Sequence, residues 1–376
     1  FPLALFIIPA FLALFYGLVS FFFIILKPIK IVSSFLMFSL IFGITEYIRG
    51  SILTGFPWNL IVYSFSNQLE FLGVLSILGT YGLNLFCISL FTCPAIFIIS
   101  GTKKNIGVCI FFLIFVISFL IYGFSYKEKF NKADKVINDF NVRVIGSNIS
   151  IDRFYFNVNS VLVIEELIKI SNPNMNQKTI FIWPEGILPE ISQRELKEYK
   201  WLFENKFNEN HLLIMGINSQ SIENNVKRYF NSLSVYDHEL NLINNYNKIN
   251  LVPFGEFLPF ERILKNIGLK SLTNNYESFS KGKKRDIIEL KKKNFSLKIL
   301  PLICYEIIYS GKISNDHNFD LIVNISEDGW FGNSVGPKQH FVHSVLRAIE
   351  SGKYVLRSAN NGMAAIINPI GMIEQK

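Results

Sequence analysis

The chain has 376 residues, half of them hydrophobic and 37 of them phenylalanine, with a formal net charge of +8. A composition this apolar excludes a single soluble domain. The charge has no nucleic-acid motif to serve, so a nucleic-acid partner is excluded and a mild preference for anionic lipid headgroups remains.

The charge is unevenly placed along the chain. Residues 1–123 hold only five basic side chains (Lys27, Lys30, Arg49, Lys103, Lys104) and two acidic ones (Glu46, Glu70). Four apolar runs in that part, roughly 1–26, 31–49, 69–100 and 106–123, are the length of a spanning helix, which needs about 20 residues. Gly79, Gly82 and Pro94 predict a bend in the third. Four such runs in succession exclude a cleaved signal peptide. The first residue is Phe, inside a hydrophobic run, which suggests further spans upstream. The loops KPIK (27–30) and TKKN (102–105) carry the lysines, whereas GSILTGFPWNLIVYS offers Phe56, Trp58 and Tyr63 to an interface. The positive-inside rule then makes the two lysine loops cytoplasmic and puts the rest of the chain on the outer side, the periplasm of a Gram-negative cell.

Residues 124–140 read as a polar linker. From 141 to 376 the pattern changes to short apolar runs broken by polar turns: NVRVIGSNI, KTIFIWPE, HLLIMGINS, NSLSVYD, SLKILPLICYE, DLIVNIS and AAIINPIG. These read as strands, with helical stretches such as SVLVIEELIKI between several of them, and so predict a layered α/β domain with its own core.

Cys87, Cys93 and Cys109 lie in or beside the apolar runs and read as small core residues, leaving Cys304 as the only cysteine of the water-facing domain. It has no intradomain partner, so a structural disulfide is excluded there. A thiol becomes a nucleophile when a base or a cation favours its thiolate, and acyl chemistry also needs an oxyanion stabiliser and an acid for the leaving group. Two stretches offer these parts. FIWPEGILPE ends a strand with Trp183-Pro184-Glu185, and YNKINLVPFGEFLPF sets Lys248 among apolar residues before Glu256. Singly, these are a core thiol, a turn acid and a surface lysine; together, each charge sits where an apolar run ends.

A Glu after a strand, a Lys before a hydrophobic strand and a Cys at a strand-to-helix turn, in that order, resemble the nitrilase (carbon–nitrogen hydrolase) superfamily. The strings WPE, YNKINLVPFGEFLP, ICYE, TGFPWNLIVYS, NISEDGWFG and RAIESGKYVLRSANNGMAAIINPIG resemble more closely the apolipoprotein N-acyltransferase family. The resemblance covers nearly the whole chain. It implies an α-β-β-α sandwich attached to an α-helical transmembrane region in the bacterial inner membrane, with the catalytic domain facing the periplasm. It implies Cys304 as the nucleophile that becomes a thioester, Glu185 as general base and acid, and Lys248 as oxyanion stabiliser, with Glu256, Tyr305 and Glu306 in support. It also implies a phospholipid as acyl donor, a diacylglyceryl-lipoprotein as acceptor, a ping-pong order, and no cofactor or metal. Trp183 and Trp330 are candidate substrate contacts.

Two departures stand out. Where the family reads Gln-Gly-Asn-Ile-Pro-Gln and then Lys-Trp, this chain has Gly146-Ser147-Asn148-Ile149-Ser150 and then Phe154-Tyr155-Phe156, which leaves Tyr155 as the candidate aromatic contact. The chain also ends at Lys376, before the family's final strands and last helix. His340 and His343 have i, i+3 spacing, but no third metal ligand is evident in the sequence. The run KGKKRDIIELKKKN (281–294) reads as a solvated loop and strand edge, or as a lipid-headgroup patch. A membrane-anchored amidase using the same Glu-Lys-Cys set is the alternative, though it would not need the spans. A transporter would need charges within its spans, and Glu46, Arg49 and Glu70 all lie near span ends.

Overall fold

The computed structural model describes residues 4–26, 28–134, 139–156, 158–223, 225–259, 278–292, 295–311, 313 and 318–375. Lys27 of the first lysine loop, residues 135–138 of the expected linker, Phe260 and residues 293–294 of the basic run lie outside them. The chain forms two compact units, one of residues 1–133 with 309–311 and 349–352, the other of 134–308, 312–348 and 353–376.

The first unit contains α1 (Ala4–Leu26), α2 (Ile31–Arg49), the single turn α3 (Leu69–Leu72), α4 (Leu75–Ile99) and α5 (Lys103–Lys132). Apart from the short α3, each is long and apolar enough to cross a membrane. Phe21, Ile24, Ile98 and Ile117 point out of the bundle, which suits hydrocarbon rather than water as the solvent. The bend expected in the third run is at Gly79, whose φ of 65° breaks α4. At the break the Thr80 N–H donates to Glu350 Oε1 at 2.9 Å. Helix α5 runs past residue 123 to Lys132, so much of the expected linker is helical. Its polar end is held by Lys127 on Glu70 and by the i, i+4 pair Glu128–Lys132. Trp58 is buried rather than turned to an interface, because Arg49 and Tyr63 donate to the carbonyls of Phe56 and Pro57 and fold the loop onto itself.

The second unit holds two sheets. One has the order β1 (Asn141–Val144), β3 (Thr179–Ile182), β4 (His211–Glu223), β5 (Val226–Tyr236), β6 (Leu242–Asn247). The other runs β12 (Ile373–Gln375), β11 (Ala365–Ile367), β10 (Tyr354–Asn360), β9 (Leu321–Glu327), β8 (Phe295–Ile303), β7 (Ile288–Lys292), with β2 (Gly146–Ser147) beside β10. The period-2 pattern sorts each strand between two cores. Ile180 and Ile182 of β3 join Leu212, Ile214, Ile299, Ile303, Val323 and Leu356 between the sheets. Phe181, and Trp183 just beyond the strand, face the other way onto Val163, Ile164, Leu167 and Ile168 of α6 (Ser160–Ser171), near the short α7 (Lys200–Phe203). The far face of the second sheet is covered by α8 (Gly336–Ser351), whose His340 and Ser344 meet Arg357. The architecture is the expected α-β-β-α sandwich.

Strand β10 was not among the strands read from the sequence. Its YVLRSAN alternates an inter-sheet Leu356 with a fully buried Arg357, a charge that belies a core strand until its partner is seen. The basic run contributes the edge strand β7, with Lys291 solvated.

The turn that presents Glu185 depends on Gly216 of β4. A Cβ there would lie 2.5 Å from Glu185 Cα and 2.7 Å from Pro184 O. We expect Gly216→Ala to destabilise the domain by about 1–3 kcal/mol through overpacking, read as a lower Tm in thermal unfolding. An unchanged Tm would mean that the turn yields freely.

Candidate active site

Three strand ends converge on one cluster. β3 ends at Ile182, and Pro184, whose carbonyl accepts from Gly216 N–H at 3.2 Å, turns Glu185 out of the ladder. Glu185 Oε1 accepts from Lys248 Nζ at 3.1 Å and from Asn231 Nδ2 at 2.7 Å; Oε2 accepts from the Glu327 backbone N–H at 2.9 Å. Lys248 follows β6, is 1% exposed, and also donates to Glu256 Oε1 at 3.0 Å. Glu256 is fixed in turn by Asn231 Nδ2 at 2.7 Å and by Val252 N–H at 2.8 Å.

Burial alone would lower the Lys248 pKa, but Glu185 and Glu256 reverse that and hold it well above its ordinary value, so the ammonium is kept. Glu256 is shifted upward, by burial first and by Glu185 as a neighbouring like charge, with Lys248 opposing. Asn231 is the member the sequence did not point to. It sits inside β5 as one of many asparagines, and only the fold reveals that its amide bridges two carboxylates.

Cys304 begins a 3₁₀ turn at the end of β8 with φ 49°, a left-handed conformation that is unfavourable for a side-chain-bearing residue and is found at functional turns. It keeps part of its surface open. Its thiol pKa is pushed well above the ordinary value by burial, then by Glu185 and Asp328; Lys248 and a hydrogen bond from Ser326 act the other way. The resting group is therefore a neutral thiol beside a carboxylate and an ammonium, not a preformed thiolate. Chemistry at this sulfur requires the proton to leave as the new bond forms, and Glu185 is a candidate base for it.

Glu306 does a different task from lining a pocket. It is fully buried and its Oε1 accepts from Tyr246 OH (2.7 Å), Ile249 N–H (3.0 Å), Asn250 N–H (3.0 Å) and Arg285 Nη2 (2.6 Å), while Oε2 accepts from Ile303 N–H (2.9 Å). One carboxylate thus ties the segment after Lys248 to the residue before Cys304. Arg285, which lies in the run read as solvated, is instead buried against Glu306, with its pKa raised by that carboxylate against the effect of burial. Tyr305 is buried at the first turn after the thiol.

Trp183 is not placed as a substrate contact. Strand alternation sends it into the core between β3 and α6, where it is 0% exposed, donates to Ser171 Oγ at 2.9 Å and lies against Phe203. Tyr155 and Trp330 are both half exposed and form a cluster with Phe154, the Trp330 ring centroid lying 4.8 Å from that of Phe154 and 6.4 Å from that of Tyr155. The cluster is linked to the carboxylates. Arg153, beside Phe154, pairs with buried Glu327, whose backbone N–H holds Glu185. Phe331 packs edge-on against His340. His340 and His343 are buried, and among the described residues no group of three or more His, Cys, Asp or Glu is placed to hold a metal ion.

Comparison with known proteins agrees with this architecture. Residues 168–374 match the carbon–nitrogen hydrolase family, and residues 1–93 match the apolipoprotein N-acyltransferase N-terminal domain. The apolipoprotein N-acyltransferase of Rhodopseudomonas palustris is 31% identical over 343 residues, covering 88% of this chain and 63% of the relative. That of Rickettsia prowazekii is 32% identical (91% and 67%), and that of Agrobacterium fabrum is 30% identical (99% and 70%). This chain spans 63% to 70% of their lengths. Among solved structures, Saccharomyces cerevisiae Nit3, of the nitrilase superfamily, aligns at 17% identity over 65% of this chain and 88% of its own, with a TM-score of 0.42. The chain belongs to the carbon–nitrogen hydrolase superfamily and, within it, to the apolipoprotein N-acyltransferase family.

Two outcomes follow from the geometry. Because the resting thiol is neutral, alkylation of Cys304 by iodoacetamide should be slow at neutral pH and rise about tenfold per pH unit, still climbing past the ordinary thiol value. A plateau below pH ~8 would contradict a raised thiol pKa. Glu306→Gln leaves the buried Arg285 charge unpaired and sets an amide against the Ile303 N–H, and should cost about 3–5 kcal/mol, read by thermal unfolding.

Proposed function

We propose that this chain transfers a fatty acyl group from a phospholipid, through a thioester on Cys304, to the α-amine of the diacylglyceryl-cysteine of a lipoprotein. The observation that carries the proposal is the buried network in which Lys248 joins Glu185 and Glu256, with the charges of Glu185 and Lys248 felt at the Cys304 thiol. Four helices long and apolar enough to cross a membrane suit a lipid ester as the acyl donor.

In the first half, Glu185 takes the thiol proton as the sulfur bonds to the ester carbonyl carbon and the carbonyl electron pair moves onto oxygen. The Lys248 ammonium, with a backbone N–H beside Cys304, stabilises that oxyanion. The ester C–O bond then breaks, and Glu185 returns the proton to the departing lysophospholipid alkoxide. In the second half the lipoprotein amine attacks the thioester carbonyl and gives a proton to Glu185. The C–S bond breaks, and the sulfur recovers its proton, which completes a ping-pong cycle. Glu256 and Asn231 keep Lys248 and Glu185 in place throughout. The aromatic cluster of Trp330, Phe154 and Tyr155, linked to Glu185 through Arg153 and Glu327, is assigned the task of limiting hydrolysis of the thioester. The lysine loops orient the catalytic unit to the periplasmic side.

The test is mass spectrometry of the detergent-solubilised chain after incubation with phospholipid. The expected result is a fatty-acyl mass on Cys304 that neutral hydroxylamine releases and that Cys304→Ala lacks. Glu185→Gln should slow its appearance by about 10²–10⁴-fold and Lys248→Ala by about 10²–10³-fold. Acylation of Cys304→Ala at the wild-type rate would sink the proposal, and release of free fatty acid with no transfer to an amine acceptor would make the enzyme a hydrolase.

A further inference from the structure

A second polar cluster surrounds Cys304, and the mechanism above makes no use of it. Asp328, which follows β9, is fully buried and accepts from Arg357 Nη2 on both oxygens, at 3.0 and 2.8 Å. Burial would raise its pKa, but Arg357 and His340 outweigh that and hold the carboxyl below its usual range, so it is ionised. His340 Nε2 lies 3.2 Å from the Cys304 carbonyl oxygen, and Nδ1 lies 3.1 Å from Arg357 Nη2 and 2.9 Å from Asp328 Oδ1. Burial and Arg357 hold the imidazole pKa below its ordinary value, so the ring is neutral at neutral pH. The proton of the neutral ring can serve Asp328 from Nδ1 or the Cys304 carbonyl from Nε2, and the tautomer decides which of the two contacts is a hydrogen bond. In either case the ring is packed against the carbonyl of the left-handed residue.

Ser326, also fully buried, stands between this cluster and the sulfur. Its Oγ is 2.7 Å from Asp328 Oδ1 and 3.6 Å from Cys304 Sγ. A hydroxyl has one hydrogen and here two acceptors. While Cys304 is a thiol, its S–H can point to Ser326 Oγ and the hydroxyl can donate to Asp328. Once the thiol proton has gone to Glu185, the sulfur is an acceptor only. The hydroxyl can then turn to it, because Asp328 keeps both of its bonds from Arg357.

We infer that Ser326 is the hydrogen-bond donor to the Cys304 sulfur when that sulfur carries negative charge, and that Asp328, Arg357 and His340 are the positioning residues that hold the hydroxyl and the nucleophile's backbone in register. The inference rests on Cys304 as the nucleophile and adds a residue that touches the reacting atom. The charged groups around that sulfur are Glu185 at the end of β3, Lys248 after β6 with Glu256 beside it, and Glu306 in the nucleophile's own turn. Glu327 and Asp328 follow β9, His340 comes from α8 and Arg357 from β10. The attraction of Lys248 for the thiolate acts on Cys304 against Glu185 and Asp328. A neutral donor in contact with the sulfur adds stabilisation without adding a further charge to a crowded interior.

The test uses the full chain in detergent, alkylated with iodoacetamide over about pH 7 to 10, with peptide mass spectrometry separating Cys304 from the other cysteines. Ser326→Ala should slow alkylation of Cys304 by about three- to tenfold at each pH, the value of one hydrogen bond of ordinary strength, while Ser326→Thr should stay near wild type. If the alanine variant does not fold, the isosteric pair Ser326→Thr and Ser326→Val makes the same comparison, since they differ in the hydroxyl alone. Equal rates for wild type and alanine, or for threonine and valine, would overturn the inference. Alkylation needs no acyl donor, so the two readings fail separately. A hydroxyl effect without any acyl adduct on wild type sinks only the acyltransferase, and an adduct without a hydroxyl effect sinks only the role of Ser326.

Discussion

One ammonium shared between two carboxylates governs the site. Lys248 is buried with Glu185 and Glu256, and a cluster with more acid than base survives away from water only if every oxygen has a donor. The protein supplies those donors from separate elements: the Asn231 amide from β5, the Val252 N–H from the lysine's own loop, and the Glu327 N–H from the second sheet. The two sheets are therefore joined by the chemistry of the site as well as by the apolar layer between them. This explains why the reactive residues lie at strand ends. A ladder hydrogen bond would consume the backbone donors that the carboxylates need.

Glu306 performs the same service for geometry. By accepting from Ile249, Asn250 and Ile303 it holds the lysine segment and the nucleophile strand in one frame, with Arg285 neutralising its charge. Around the sulfur, two groups of partners divide the work. In the proposed cycle Glu185 carries the proton and Lys248 stabilises charge, whereas Asp328, His340 and Arg357 surround the left-handed backbone of Cys304. The raised thiol pKa fits this division. A neutral resting thiol is less open than a thiolate to adventitious electrophiles.

The membrane part obeys different rules with the same vocabulary. Apolar side chains point outward, and the buried charges Arg49 and Glu46 are paired at 2.6 Å. At the break at Gly79 the Thr80 N–H donates to the Glu350 carboxylate.

Much of this was legible in the residues alone. Apolar run length specifies the four helices, because hydrocarbon demands about 20 apolar residues whatever their order. Period-2 alternation specifies most of the strands. The charges at the ends of WPE, YNK and ICYE pick out Glu185, Lys248 and Cys304, because an ionisable group at the edge of an apolar run is unusual without a purpose. The rest depends on long-range pairing, which local pattern does not encode. Trp183 looks like a site residue from its neighbours but is core, since its face is set by which layer covers β3. Arg285 and Arg357 look solvated until Glu306 and Asp328 meet them from distant segments. Asn231 and Ser326 are ordinary polar residues in the sequence, and only the packing of one sheet on the other puts an amide between two carboxylates and a hydroxyl beside the sulfur.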